Sequence, residues 1–257
     1  MLVALAAALG LAVGSFLNVV IARVPDGISI VSPRSRCPRC DTEITARDNI
    51  PVLSWLLLGR RCRGCREPIS GRYPLVELGT AATWGLIVWH WGLDPAVPLL
   101  LYTASTGIAL AVIDIDTRRL PFVIVRQTWV VTAALVVLAA GLSGDWSGIL
   151  RAAIGAAVLG AFYFTLVLIK PGGMGWGDFL YSWTLGGFLG WFGWGSLVVG
   201  AFSAFLVGGL VSVGAVAATR KIKGVTIPFG PSLIAGAFIG VALGESIIRW
   251  YLDISGL

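Results

Sequence analysis

Apolar residues run along this chain in blocks, without the alternation a lipid-facing β-strand needs. The blocks occupy 2–22, 73–89, 96–113, 122–141, 149–169, 178–192, 196–218 and 231–251. A helix needs about 20 apolar residues to cross a bilayer, and most of these blocks approach or reach that length. The pattern predicts an all-α polytopic membrane protein with about eight transmembrane helices. One long polar segment, 23–72, separates the first block from the second. The expected organisation is therefore a first span at 1–22, a polar segment at 23–72 and a seven-helix membrane domain at 73–257. Within the polar segment the apolar run 50–58 is too short to span, and is expected to lie at the membrane surface or to cover the cysteine metal knuckles of this segment. The block at 178–192 is the shortest, which predicts a tilted helix or an irregular start.

Composition agrees with this reading. Hydrophobic residues make up 57% of the 257 positions and charged residues 12%, about half the charged share of a soluble domain. The first block lacks the basic start of a secretory signal peptide, and its first charge, Arg23, follows the run. That polarity predicts an uncleaved span with the N-terminus outside.

The net charge of +6 reads as loop charge. With the N-terminus outside, the inner loops and adjoining span ends hold ten Arg in 23–72, then Arg118, Arg119, Arg126, Lys170, Arg220, Lys221 and Lys223; the outer segments hold only Arg151 and Arg249. This is a positive-inside distribution. It predicts a multi-pass membrane protein with both termini outside, and no nucleic-acid partner, because the bases flank spans and form no phosphate-binding face. Trp89, Trp91, Trp146, Trp191, Trp194, Trp250 and Tyr251 fall near the predicted outer ends, as an aromatic belt does. His90, the only histidine, belongs to that belt. Asn18, polar within the first block, is read as a hydrogen-bonding contact between helices.

All four cysteines lie in the polar segment, as Cys37-Pro38-Arg39-Cys40 and Cys62-Arg63-Gly64-Cys65. Two C-x2-C pairs separated by 21 residues match a four-cysteine zinc site, each pair turning both thiolates toward one ion. Pro38 and Gly64 suit such turns. Four protein ligands close the tetrahedron, so the zinc would be structural, holding together a segment with few apolar residues. A dithiol redox pair and ordinary free thiols are the competing readings. Disulfides are disfavoured on the cytosolic side.

Two carboxylates stand out at the inner ends of spans. Asp114 follows the third block directly and Asp178 opens the sixth, after Gly172-Gly173-Met174-Gly175-Trp176-Gly177. Odd spans run inward and even spans outward, so both residues sit at the same membrane depth. Two nearby carboxylates share a proton, and such a pair can activate water and protonate a leaving group. Asp116 is the alternative first carboxylate. The competing account pairs Asp114 and Asp116 with Arg118 and Arg119, and makes Asp178 a helix cap.

The chain resembles the type IV prepilin leader peptidases, which are bifunctional membrane aspartyl proteases. The resemblance rests on Gly14-Ser15-Phe16-Leu17-Asn18-Val19-Val20 with Arg23 and Pro25, the two C-x2-C pairs, Asn49-Ile50-Pro51-Val52-Leu53-Ser54-Trp55 and Ser70-Gly71-Arg72-Tyr73-Pro74-Leu75-Val76-Glu77. It continues through Ile113-Asp114 with Leu120-Pro121, Gly175-x-Gly177-Asp178 and Pro228-Phe229-Gly230-Pro231. It implies that Asp114 and Asp178 are the catalytic aspartates. It also implies cleavage of a short positive leader after a glycine, in prepilins or pseudopilins, at the cytosolic membrane surface. Many members methylate the new N-terminus with S-adenosylmethionine, although no glycine-rich cofactor loop stands in this sequence. Glu77, Asp116 or lipid phosphates are expected to offset the leader's positive charge.

The chain departs from the family pattern at Phe122, where an Asp is usual, and at Phe179-Leu180-Tyr181, where Val-Lys-Leu is usual. These departures bear on optimum pH and substrate preference. Two other functions fit parts of the sequence. One is a non-proteolytic zinc-bearing scaffold for pilus or secretion assembly, and the other a membrane thiol oxidoreductase.

Overall fold

The computed structural model describes residues 1–170, 172–219 and 227–256. The basic positions Arg220, Lys221 and Lys223 lie outside the described residues. The described chain is helical without a sheet: α1 (Leu2–Arg23), α2 (Leu53–Leu57), α3 (Arg72–Trp91), α4 (Val97–Thr117), α5 (Phe122–Ser143), α6 (Ser147–Ile169), α7 (Trp176–Phe192), α8 (Trp194–Thr219) and α9 (Gly230–Ser255). Each of the eight apolar blocks forms one long helix. Six of these, α1, α4, α5, α6, α8 and α9, are long and apolar enough to cross a membrane. With 17 residues, α7 extends only about 26 Å, short of a ~30 Å hydrocarbon core. The remaining long helix, α3, which carries Arg72, Glu77 and His90 among its 20 residues, is not one of those six.

The helices fall into two compact units, 1–109 and 110–257, with the boundary inside α4. In the first, α1 packs along α3. Gly14 explains the start of its motif: a Cβ there would lie 2.6 Å from Glu77 Cα. Asn18 Nδ2 donates to the Tyr73 carbonyl at 3.1 Å, tying α1 to the first turn of α3. Trp84 Nε1 donates to Ser105 Oγ at 3.0 Å and holds α3 to α4.

The centre of the run 50–58 forms the short helix α2. Trp55 Nε1 donates to the Ile69 carbonyl at 3.1 Å, so α2 packs on the polar segment. Leu53, Leu56 and Leu57 remain exposed, leaving an apolar surface for a membrane interface.

In the second unit α7 is the central helix, packed by α5, α6, α8 and α9. Tyr181, Leu185, Phe188 and Leu189 are wholly enclosed. A helix surrounded by other helices need not match the lipid thickness itself, which reconciles its short length with a membrane position. The outer surfaces of α5, α6 and α8 are apolar, exposing Val130, Leu142, Leu150, Phe202 and Leu210. Helices apolar all round are those of a membrane protein.

Candidate active site

Three helix ends meet in the second unit. The last turn of α4 carries Asp114, the first turn of α7 carries Asp178, and the first residue of α9 is Gly230. Asp114 lies inside α4, one turn short of its end, although the apolar block stops at Ile113. The helix extends through the polar residues because Thr117 Oγ1 bonds back to the Ile113 carbonyl at 2.9 Å, and because Asp114 finds a partner. That partner is the main-chain N–H of Gly230, which donates to Asp114 Oδ2 at 2.9 Å. A carboxylate at a helix C-terminus meets the negative end of the macrodipole. The N-terminus of α9 offsets this by presenting its positive end to the same oxygen.

Asp178 occupies the first turn of α7, where the dipole favours a negative charge. It is 9% exposed and Asp114 is 5% exposed. Oδ1 of Asp178 is buried with no hydrogen-bond partner among the described residues. Asp114 is near enough to act on the charge of Asp178. The two buried carboxylates, each at a helix N-terminus, thus lie within electrostatic reach of each other.

The glycines make this approach possible. Leu120 lies between the two helix starts: a Cβ on Gly177 would fall 2.7 Å from Leu120 Cβ, and one on Gly230 would fall 2.8 Å from Asp114 Oδ2 and 3.3 Å from Leu120 Cδ2. Asp116, the alternative first carboxylate, is exposed near the α4 terminus. Phe122 is exposed and makes an edge contact with Trp129. The Leu180 carbonyl accepts from Trp129 Nε1 at 2.8 Å, linking α7 to α5 just beyond Asp178. His90 stands far along the chain from this pair, at the end of α3, edge-on to Trp91.

The role of Gly230 is not visible in its motif, since a main-chain N–H has no side-chain signature. Pro231 at the start of α9 is the nearest signal, because proline favours the first turn of a helix. Tyr163 is a further buried neighbour of Asp178. It stacks on Phe205 at 5.8 Å, and its hydroxyl is buried without a partner among the described residues.

The four cysteines gather in the first unit. Their sulfurs all lie within 4.8 Å of one another, with Cys37–Cys65 at 3.8 Å and Cys40–Cys62 at 4.0 Å. Sulfurs about 2.3 Å from one ion at tetrahedral angles are about 3.8 Å apart. The cluster can hold a metal ion.

The two arms are copies of one turn, offset by 25 positions. Cys37 N–H donates to the Thr42 carbonyl as Cys62 N–H does to Glu67, and Ile44 N–H donates to Ser35 as Ile69 N–H does to Arg60. Asp41 and Arg66, each just after the second cysteine of its pair, both take a left-handed conformation (φ 54° and 60°). Thr42 hydrogen bonds hold the Cys40 thiol down at about 6, which favours a ligating thiolate. Arg63 clamps Asp48 through two bonds of 2.9 and 2.6 Å, fixing the second arm to the short turn before α2.

Known proteins resemble this chain in sequence along nearly its whole length. Residues 8–91 match the bacterial peptidase A24 N-terminal domain, and residues 101–213 match the type IV leader peptidase family. The chain is 36% identical to a prepilin leader peptidase/N-methyltransferase of Aeromonas hydrophila, covering 94% of this chain and 91% of that protein. It is 35% identical to the enzyme of that name in Pseudomonas aeruginosa, covering 96% and 92%. A relative of the same name in Myxococcus xanthus is 43% identical over 71% of this chain and 55% of its own length. No solved structure matches the chain. A buried carboxylate pair between helix ends, a four-cysteine cluster and similarity along both halves thus agree, and the chain is a multi-pass membrane protein belonging to the type IV leader peptidase family.

Proposed function

We propose that this chain is an aspartyl endopeptidase that removes the leader of type IV prepilins or pseudopilins after a glycine, with Asp114 and Asp178 as the catalytic pair. The observation that carries the reading is the burial of both carboxylates beside each other, each facing a helix N-terminus. One carboxylate takes a proton from water, whose oxygen attacks the carbonyl carbon of the scissile glycine. The other, protonated, steadies the developing oxyanion. The proton taken from water then goes to the leaving nitrogen as the C–N bond breaks. The products are a leader with a C-terminal glycine and a mature chain with a free amine. The carboxylates titrate as one unit, so the two roles belong to the pair.

The basic distribution of the loops supports placing this pair at the cytosolic face of the bacterial inner membrane, with both termini outside. Substrate would enter as an apolar helix among the spans, with its charged leader on the cytosolic side. The exposed carboxylate of Asp116 and lipid phosphates are suited to receive that leader.

Zinc fits the cysteine cluster, because the sulfur spacings match a tetrahedron of thiolates. Cys37, Cys40, Cys62 and Cys65 would fill all four positions, so the ion would fix the fold of the polar segment, 23–72, and leave no open site. All four cysteines are free of disulfides, and their mutual spacing favours ligation over a thiol redox cycle.

The names of the relatives also support N-methylation of the new terminus. A cleft of about 320 Å³ at Ser15, Phe16 and Asn49 has few polar groups, and no sheet among the described residues carries a nucleotide-binding turn. Support for methyl transfer therefore comes from the relatives alone.

Cleavage of a prepilin by Asp114→Asn, Asp178→Asn and Asp116→Asn variants in membranes tests the assignment. Loss in the first two with activity kept in the third is expected; full activity in either of the first two overturns the pair. Mass analysis of the product, with and without S-adenosylmethionine, reads the methylation separately.

A further inference from the structure

Tyr163 belongs to α6, yet its surroundings are those of the two carboxylates. Its neighbour Phe164 packs against Phe179, the residue after Asp178, with ring centres 5.3 Å apart. The Tyr163 ring itself lies 5.8 Å from Phe205 and 6.4 Å from Phe229, the residue before Gly230. Phe205 and Phe229 meet each other at 5.4 Å. Tyr163 is thus lodged between the start of α7, which carries Asp178, and the start of α9, which holds Asp114. It is wholly buried, and its hydroxyl is within electrostatic reach of Asp178.

We propose that Tyr163 is a positioning residue for Asp178, its hydroxyl donating to the enclosed oxygen Oδ1 directly or through one bound water. The inference rests on the proteolytic reading above and deepens it, by assigning the group that fixes the second carboxylate.

Three observations select this role. The two oxygens of Asp178 differ in their surroundings. Oδ2 lies close to Gly175, where a Cβ would fall 2.9 Å from it. Oδ1 is enclosed and has no hydrogen-bond partner among the described residues. The Tyr163 hydroxyl is enclosed as well, and equally without a partner among them. An unpaired polar group in an apolar interior is costly, so a donor and an acceptor left unpaired at the same level of one bundle are natural partners. Finally, packing does not account for the hydroxyl. A phenylalanine would make the same contacts with Phe205 and Phe229 and bury no polar atom.

A carboxylate on a helix start can turn about its last side-chain bond. A donor on Oδ1 stops that rotation and leaves Oδ2 to take or give the proton of the reaction. Tyr163 then does for Asp178 what the Gly230 N–H does for Asp114, and each carboxylate is oriented by a donor from another helix.

Tyr163→Phe removes one oxygen and keeps the ring contacts. It should lower kcat for a full-length prepilin about tenfold or more while KM stays within about twofold, the split expected of a group that acts on the chemical step. A double-mutant cycle on thermal stability reads the contact without any cleavage. Tyr163→Phe should lower the thermal transition of the parent in detergent, and should leave it unchanged or raise it in a chain that already carries Asp178→Ala. An unchanged kcat, or equal thermal shifts in the two backgrounds, overturns the assignment. Full cleavage by Asp178→Asn overturns the proteolytic reading instead, while the thermal cycle still reads whether Tyr163 serves Asp178.

Discussion

Gly230 donates its main-chain N–H to Asp114 Oδ2 at 2.9 Å across 116 positions of sequence. This bond places the N-terminus of α9 against a carboxylate carried near the C-terminus of α4. It gives Asp114 the polar partner that the surrounding apolar helices do not offer, and it holds the carboxylate in one orientation beside Asp178.

Gly230→Ala tests that bond. The added Cβ would fall 2.8 Å from Asp114 Oδ2, so the helix start or the carboxylate must move. A hydrogen bond to a charged group contributes about 1.5–3 kcal/mol, so kcat should fall about 10- to 100-fold. KM should change little, because the Gly230 N–H acts on the Asp114 carboxylate. The kinetic split, read beside an unchanged circular dichroism spectrum, distinguishes a displaced carboxylate from a misfolded chain.

Much of this architecture was legible in the sequence. Eight apolar blocks form eight long helices because a hydrocarbon solvent demands long apolar runs and satisfied backbones. Asp114 and Asp178 stood out for the converse reason, as charges at the ends of such runs. Other features left weaker traces. The last turn of α4 is polar in sequence and is completed by contacts of Asp114 and Thr117. Gly230 acts through its backbone. The two cysteine arms share only Arg, Cys, Cys and Ile at matching positions, so their common turn emerges from hydrogen bonds and from the paired left-handed residues Asp41 and Arg66.

Metal removal should unfold one part of the molecule selectively. The polar segment has few buried apolar side chains, so its order depends on the four sulfurs. Chelation, or Cys40→Ser, should release one zinc ion per chain and open the bonds between 34 and 69 to protease. The helices of the second unit should keep their ellipticity. Persistent protease resistance after complete zinc loss counts against a structural metal.

Asn18→Leu should weaken the pairing of α1 with α3. The substitution keeps the branched shape and the number of heavy atoms but deletes the bond to the Tyr73 carbonyl. Hydrogen bonds between membrane helices contribute about 0.6–2 kcal/mol, so a modest drop in the thermal transition in detergent is expected. Gly14→Val should do more harm, since a side chain there meets the backbone of α3 at Glu77. Equal stability of Gly14→Val and the parent would contradict the close packing of these helices.

Gly177 and Leu120 provide the most direct test of how the carboxylates are held. A Cβ at Gly177 would lie 2.7 Å from Leu120 Cβ and 3.3 Å from its main-chain nitrogen. Gly177→Ala should therefore push the start of α7 away from the α4–α5 turn and carry Asp178 with it. Cleavage should fall, again lowering kcat more than it changes KM. Leu120→Gly removes the obstructing side chain but also loosens the wedge between α7 and α9, so it should be impaired by itself. If the clash is the cause, the double variant should be less impaired than the product of the two single effects. Residues in contact show such coupling at about 0.5–3 kcal/mol, whereas distant sites add within about 0.5 kcal/mol. Strict additivity would mean that Gly177 is needed for a reason other than its closeness to Leu120, such as passage of the substrate backbone beside Asp178.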